Sequence, residues 1–173
     1  LDRTVAIKRL RPEATGRDED LLREAVVTAS LTHPHIVPVH DVARDPSGTP
    51  FYVMRAIEGR RWSEVLGRMS QRENVEILLR VCDAVAYAHA HGVLHRDLKP
   101  ENVMVGDYNE VLLLDWGLAA AVPGAVASPA PALAETCEVS GTPAYMAPEM
   151  ARGDGARITV RSDVYLLGAI LFE

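Results

Sequence analysis

The chain has 173 residues, 48% of them apolar, and a formal net charge of −6. That length and composition suit one globular unit with a buried core and exclude a disordered tail. The acidic balance, without any block of Lys or Arg, excludes a nucleic-acid surface, because phosphate contacts need clustered cations.

The chain opens on Leu1, and the strand pattern "TVAIKRL" begins almost at once, with β-branched and apolar residues around Lys8 over residues 4 to 10. After the turn-rich "RPEATGRDED", Leu21, Leu22, Ala25, Val26 and Ala29 recur at helical spacing between Asp18 and Leu31. Acidic residues fill the first turn of this helix, where the dipole favours them, and the helix carries Glu24. Two strands follow, about 36 to 43 and 50 to 57, joined by the hairpin signal "RDPSGT".

After Gly59 the pattern becomes helical. Residues 71 to 91 place Val75, Leu78, Val81, Val85 and Ala88 on one face, with Gly92 as the stop and His89 and His91 as helix-end cations. Short strands are expected at 93 to 94, 102 to 105 and 110 to 114. The Ala/Pro/Ser-rich "AAAVPGAVASPAPALAETCEVSGTPAY" then reads as a long irregular segment, and such loops are usually functional or disordered. The final stretch, "SDVYLLGAILFE", has the cap and apolar character of a buried helix still running at Glu173, so the chain reads as a fragment cut at both ends. Missing leaders or anchors therefore carry no weight, and any membrane anchoring would lie in the missing regions. Cys82 and Cys137 stand far apart without a CxxC, which fits a reducing compartment and neither a disulfide framework nor a zinc site. The plan is α+β: a small β-rich lobe and hinge over 1–57, then a larger, mainly helical lobe over 58–173, the two making one domain.

Between two of the short strands, "VLHRDLKPENVMV" interrupts apolar sequence with charges and a proline. A surface loop could carry those charges for solubility alone. Yet Asp97, Lys99 and Asn102, with Asp115 a further 13 residues on, each match a need of phosphoryl transfer. A carboxylate takes a hydroxyl proton, a cation meets the moving phosphate, and hard oxygens suit magnesium.

At these residues the sequence resembles the eukaryotic-type protein kinase family, and six motifs appear in that family's order: "VAIK", "LLREA", "HRDLKPEN", "DWG", "GTPAYMAPE" and "RSDVYLLGAILFE". The resemblance implies a bilobal kinase-like fold, truncated at both ends, and a serine/threonine kinase of bacterial type that transfers phosphate from ATP, with Mg²⁺, to protein Ser or Thr hydroxyls. It implies that Lys8 grips the nucleotide phosphates, steadied by Glu24. Asp97 would orient the substrate hydroxyl, Lys99 would neutralise the γ-phosphate, and Asn102 and Asp115 would hold the metal. Ala6 and Met104 would sandwich the adenine, Arg55 and Ile57 would offer hinge backbone, and Met54 would be the gatekeeper. Arg96 implies docking of a phosphorylated activation segment, with Thr136 the first candidate phosphosite and Ser140 the second. Thr142 would hydrogen-bond near Asp97 and Lys99. Asp163 would hold backbone amides of the catalytic loop, and His95 would pack on Trp116 as a structural residue.

Several features depart from the family pattern. Trp116 stands in place of the usual Phe, Thr28 in place of a hydrophobic residue, and Arg55 and Ala56 in place of an acidic-aromatic pair. No glycine-rich loop precedes Lys8. The rival readings are a pseudokinase or nucleotide-binding scaffold, and a fragment inactive in isolation. Cytoplasmic placement, or the cytoplasmic face of a membrane, follows from ATP dependence and free thiols.

Overall fold

The computed structural model describes residues 4–10, 17–125, 127–133 and 139–173. The first part of the chain supplies β1 (Val5–Arg9), α1 (Asp18–Ser30), β2 (Val39–Arg44) and β3 (Pro50–Arg55). β3 lies between β1 and β2 and is antiparallel to both. The β2–β3 hairpin closes on Asp45, whose carboxylate accepts from the amides of Ser47 and Thr49, while Gly48 takes φ +88°. An Asx turn followed by a left-handed glycine is what that local sequence favours. β2 starts at Val39 rather than at residue 36. Pro38 has no N–H with which to extend a ladder, and Ile36 instead forms a parallel bridge to Leu113.

α1 lies between two apolar clusters, so its buried stripe is wider than the periodicity suggests. Leu21 and Ala25 pack with Tyr52 under the sheet, and Val27 joins the larger core. Val26 and Ala29, expected on the buried face, are exposed, whereas Glu24, Val27 and Thr28 are buried. The Thr28 hydroxyl donates to the Glu24 carbonyl at 2.7 Å. Its polarity is thus satisfied inside the core by an i−4 bond.

The larger part contains β4 (Gly59–Arg61), α2 (Trp62–Val65), α3 (Gln71–Ala90), β5 (Val93–Leu94), β6 (Val103–Gly106), β7 (Val111–Leu113), β8 (Ala120–Ala121), α4 (Pro148–Ala151) and α5 (Val160–Phe172). One sheet runs β4-β6-β7, and β5 pairs with β8. α3 starts on a reciprocal Ser70–Glu73 capping box. Its core face is Ile77, Leu78, Val81, Ala84, Val85 and Ala88. Val75, expected on that face, is more than a third exposed, because the core begins one turn later.

α5 begins at Val160 on a Thr159–Ser162 box, ahead of the Ser-Asp pair that reads as its cap. Ser162 and Asp163 are buried there. The segment expected to be irregular is partly ordered, since β8 pairs with β5 and Ser128 donates to the Gly92 carbonyl at 2.9 Å. No described helix is long and apolar enough to cross a membrane.

Candidate active site

Asp163, with no exposed surface, fixes the loop that follows β5. Its carboxylate accepts from the amide of His95 at 2.9 Å and from that of Arg96 at 2.8 Å, where Arg96 takes φ +70°. His89 Nε2 lies 2.8 Å from the same carboxylate. His89 is therefore not a free helix-end cation; packing of α3 on α5 turns it inward. The His95 ring is buried, 4.6 Å between centroids from Trp116. Its Nδ1 accepts from the Asp97 amide and its Nε2 faces the Leu114 carbonyl, each at 3.2 Å. The neutral tautomer with the proton on Nε2 satisfies both contacts. Burial pushes the His95 pKa below its ordinary value, against the opposing pull of Asp163.

With the loop held in this way, Asp97, Lys99, Asn102 and Thr142 come together. Lys99 Nζ reaches Asp97 Oδ2 at 2.7 Å and Thr142 Oγ1 at 2.6 Å. The Thr142 hydroxyl donates to Asp97 Oδ1 at 2.8 Å. Asn102 lies in the helical turn Pro100–Asn102 just before β6, so the strand expected from residue 102 starts one residue later. Its amide nitrogen donates to the Asp97 carbonyl at 2.8 Å and to Asp97 Oδ2 at 3.1 Å. That leaves the Asn102 amide oxygen directed to other partners.

Lys8 bridges the two parts of the chain. Its Nζ is 2.5 Å from Glu24 Oε1 and 3.2 Å from Asp115 Oδ1. Asp115 takes φ +59° just after β7, a left-handed conformation that a short polar side chain tolerates. Burial works against the charge on Lys8, but the neighbouring Glu24 and Asp115 carboxylates outweigh it and raise its pKa. Burial likewise opposes the charged form of Asp115, yet Lys8 outweighs it and the pKa falls.

Tyr52 completes the cluster by donating its hydroxyl to Glu24 Oε1 at 2.8 Å, with its own pKa pushed up by burial and then by Glu24. Sequence reasoning missed this residue. The available signal was strand alternation, which puts Tyr52 on the same face of β3 as Met54.

A cavity of about 360 Å³ opens between the two parts, and its wall includes Lys8, Met54, Arg61, Asn102, Leu114 and Asp115. Ala6 and Met104 are not among its wall residues. Ala6 is paired with Met54 in the β1–β3 register, and Met104 with Arg61 and Leu112. The Arg55 amide donates to the Pro38 carbonyl at 3.1 Å. The Arg55 side chain pairs with Glu110 at 2.8 Å. Ile57 is half-buried in the connection to β4.

Among the described residues, no cluster of three or more His, Cys, Asp or Glu side chains could hold a metal ion. The oxygens of Asn102 and Asp115 nevertheless fit magnesium, which prefers one or two protein oxygens supplemented by phosphates.

Arg96 is buried, and its Nη2 donates to the Ser140 hydroxyl at 2.9 Å. Thr136, the first candidate phosphosite, lies outside the described residues.

The protein kinase domain family matches residues 2–173. The chain belongs to that family. It is 38% identical over its whole length to the serine/threonine-protein kinase PknB of Mycolicibacterium smegmatis and 37% identical over its whole length to PknB of Mycobacterium tuberculosis. It is also 36% identical over 99% of its length to the serine/threonine-protein kinase PknD of Protochlamydia amoebophila. The chain spans 28% of either PknB and 20% of PknD. The expected α+β kinase fold and the resemblance to bacterial serine/threonine kinases therefore hold.

Proposed function

We propose that this kinase domain transfers the γ-phosphoryl group of ATP to Ser or Thr hydroxyls of proteins, with Mg²⁺ as cofactor. The observation that carries this reading is the position of Lys8, which contacts Glu24 from α1 and Asp115 from the far side of the cleft. In kinases both the lysine–glutamate pair and the metal-binding aspartate must be in place for transfer.

Nucleotide occupies the cleft between residues 1–57 and 58–173, with its base toward Met54 and the backbone of Arg55 and Ile57. β1 with Ala6 and β6 with Met104 approach the base from its two faces. Lys8 binds the phosphates and Glu24 orients it. Asn102 and Asp115 would hold Mg²⁺, which supplies neutralisation of phosphate charge. Asp97 orients the substrate hydroxyl and takes its proton as the hydroxyl oxygen bonds to phosphorus and the bond to the departing diphosphate oxygen breaks. Lys99 balances the charge on the transferring group, and Thr142, bonded to both Asp97 and Lys99, fixes their spacing. Most of the rate enhancement is positioning and electrostatics.

Phosphate on Thr136 or Ser140 orders the activation segment through charge-assisted bonds to Arg96. The Ser140–Arg96 contact supports the second of these positions. The domain works on the cytoplasmic side, where ATP is supplied.

Transfer from labelled ATP to a generic Ser/Thr protein tests the reading, using the full-length protein that carries this chain. Asp97→Asn is expected to lower the rate by about 10²–10⁴-fold. Equal rates in wild type and variant would remove Asp97 from the chemistry and favour a nucleotide-binding scaffold.

A further inference from the structure

Histidines gather where the loop after α1 meets the end of α3. The His33 ring lies 5.5 Å from that of His35 and 5.1 Å from that of Tyr87, which in turn lies 4.0 Å from the His91 ring. Their ring nitrogens play different parts. His35 Nδ1 is 3.0 Å from the Val111 carbonyl, and His91 Nδ1 is 2.8 Å from the Tyr87 carbonyl. A carbonyl only accepts, so both nitrogens carry a proton, and a second proton on Nε2 leaves both bonds intact. His33 is the reverse case. Its Nδ1 accepts from the His35 amide at 3.2 Å, so in the neutral ring the proton sits on Nε2. A proton added at Nδ1 turns that acceptor into a donor facing another donor, and the turn loses its bond.

This turn is a joint between the two parts of the chain. The Ile36 amide donates to the His33 carbonyl at 3.1 Å, and the Leu113 amide donates to the His35 carbonyl at 2.8 Å. Ile36 itself bridges to Leu113 of β7. On the other side, α1 with Glu24 ends at Ser30, three residues before His33.

The charges acting on His33 come from its own loop and from α3. Burial and then His35 hold its pKa below the ordinary value, against the pull of Asp83. Tyr87 and, beyond it, His91 are the other titratable groups on this side of α3, and β7 presents the Val111 carbonyl to His35. The closed turn thus resists a proton that the opened turn accepts, so acid shifts the loop toward the open form.

We infer that His33 is a proton-operated switch on this joint: in mildly acid solution, protonation at Nδ1 opens the turn, loosens α1 and Glu24 against the larger part, and slows phosphate transfer. The effect on transfer rests on the kinase reading above, whereas the opening of the turn does not.

Two substitutions separate a switch from a histidine that only fills space. His33→Asn keeps an acceptor for the amide two residues on and does not titrate. His33→Leu removes the acceptor at every pH. On the full-length protein, amide hydrogen exchange over residues 31–40, corrected for intrinsic rates, and transfer from labelled ATP are each measured at about pH 7.5 and about pH 5.5. Wild type is expected to lose about 3- to 10-fold more protection and rate on acidification than His33→Asn does, as suits one hydrogen bond. His33→Leu is expected to be poorly protected and slow at both pH values. Equal acid losses in wild type and His33→Asn, in either readout, overturn the inference, and so does a His33→Leu variant that matches wild type at the higher pH. Should His33→Leu fail to fold, the comparison with His33→Asn decides alone. If wild type transfers no phosphate at either pH, the kinase reading falls and with it the effect on transfer, while hydrogen exchange still decides whether the turn opens.

Discussion

Around Asp163 the chain buries its polar groups and satisfies them with backbone and with a histidine, whereas around Lys8 it sets a buried Glu24 carboxylate against two charges, Lys8 and Asp115, at the edge of solvent. Asp163 has no exposed surface, but the Lys8 side chain is 33% exposed and that of Asp115 49% exposed. The first arrangement costs much to break, since a buried donor left without an acceptor forfeits its whole desolvation energy. The second is weak as a stabilising element, since screening and side-chain entropy erode exposed pairs. Scaffold and cluster meet at one cleft, so the rigid half can hold Asp97 in place while Lys8 and Asp115 stay able to exchange partners with a ligand.

Replacing Asp163 gives the largest effect. Asp163→Ala strands the buried amides of His95 and Arg96, at about 1–3 kcal/mol each, and urea unfolding should show a midpoint far below that of wild type. Asp163→Asn keeps one acceptor and is expected to lose less. An unchanged midpoint in the alanine variant would mean that the loop is held by something other than α5.

Lys8→Met should reverse the pattern. Phosphate transfer is expected to fall about 10²–10³-fold, while stability falls less than in Asp163→Ala, because Lys8 is itself a third exposed and the buried Glu24 carboxylate retains a hydrogen-bond donor. Glu24 keeps the Tyr52 hydroxyl in that variant. A stability loss as large as that of Asp163→Ala would erase the distinction between the two regions.

A smaller effect follows from the lowered pKa of His95. Below its unfolded value of about 6.5 the unfolded chain takes up a proton that the folded chain resists. Stability is therefore lost as pH falls from about 6.5 toward the folded value, by at most about 1.4 kcal/mol per pH unit. Urea midpoints between pH 5 and pH 7.5 should rise with pH, and His95→Gln should flatten the rise. His33, whose pKa is lowered by burial and then by His35, slopes the same way. A His33→Gln control separates the two. Asp115, lowered as well, contributes only under more acid conditions, below the ordinary carboxylate range.

Much of the candidate site was legible because the family's motifs tie residue types to short local stretches. Lys8 in a strand, Glu24 in a helix, and Asp97 with Asn102 in a charged loop all sit on elements that periodicity and turn residues mark. Less legible was whatever depended on two elements packing together. Glu24 reads as the polar face of an amphipathic helix, yet it is buried because α1 has apolar neighbours on two sides. His89 reads as a terminal cation until α5 brings Asp163 against it. Tyr52 and Arg61 carry no motif, and only the strand registers put one beside Glu24 and the other in the cavity wall.

Local order, the α+β class and the set of candidate side chains were determined by the sequence itself, since helix periodicity, turn chemistry and residue type are properties of neighbours along the chain. Which of those side chains share a proton, a charge or a cavity was decided only by the tertiary structure. Lys8 and Asp115 are separated by 107 residues, and no local preference acts over that distance. Closing the cleft brings them together through burial of the common core and the Ile36–Leu113 bridge that joins the two parts.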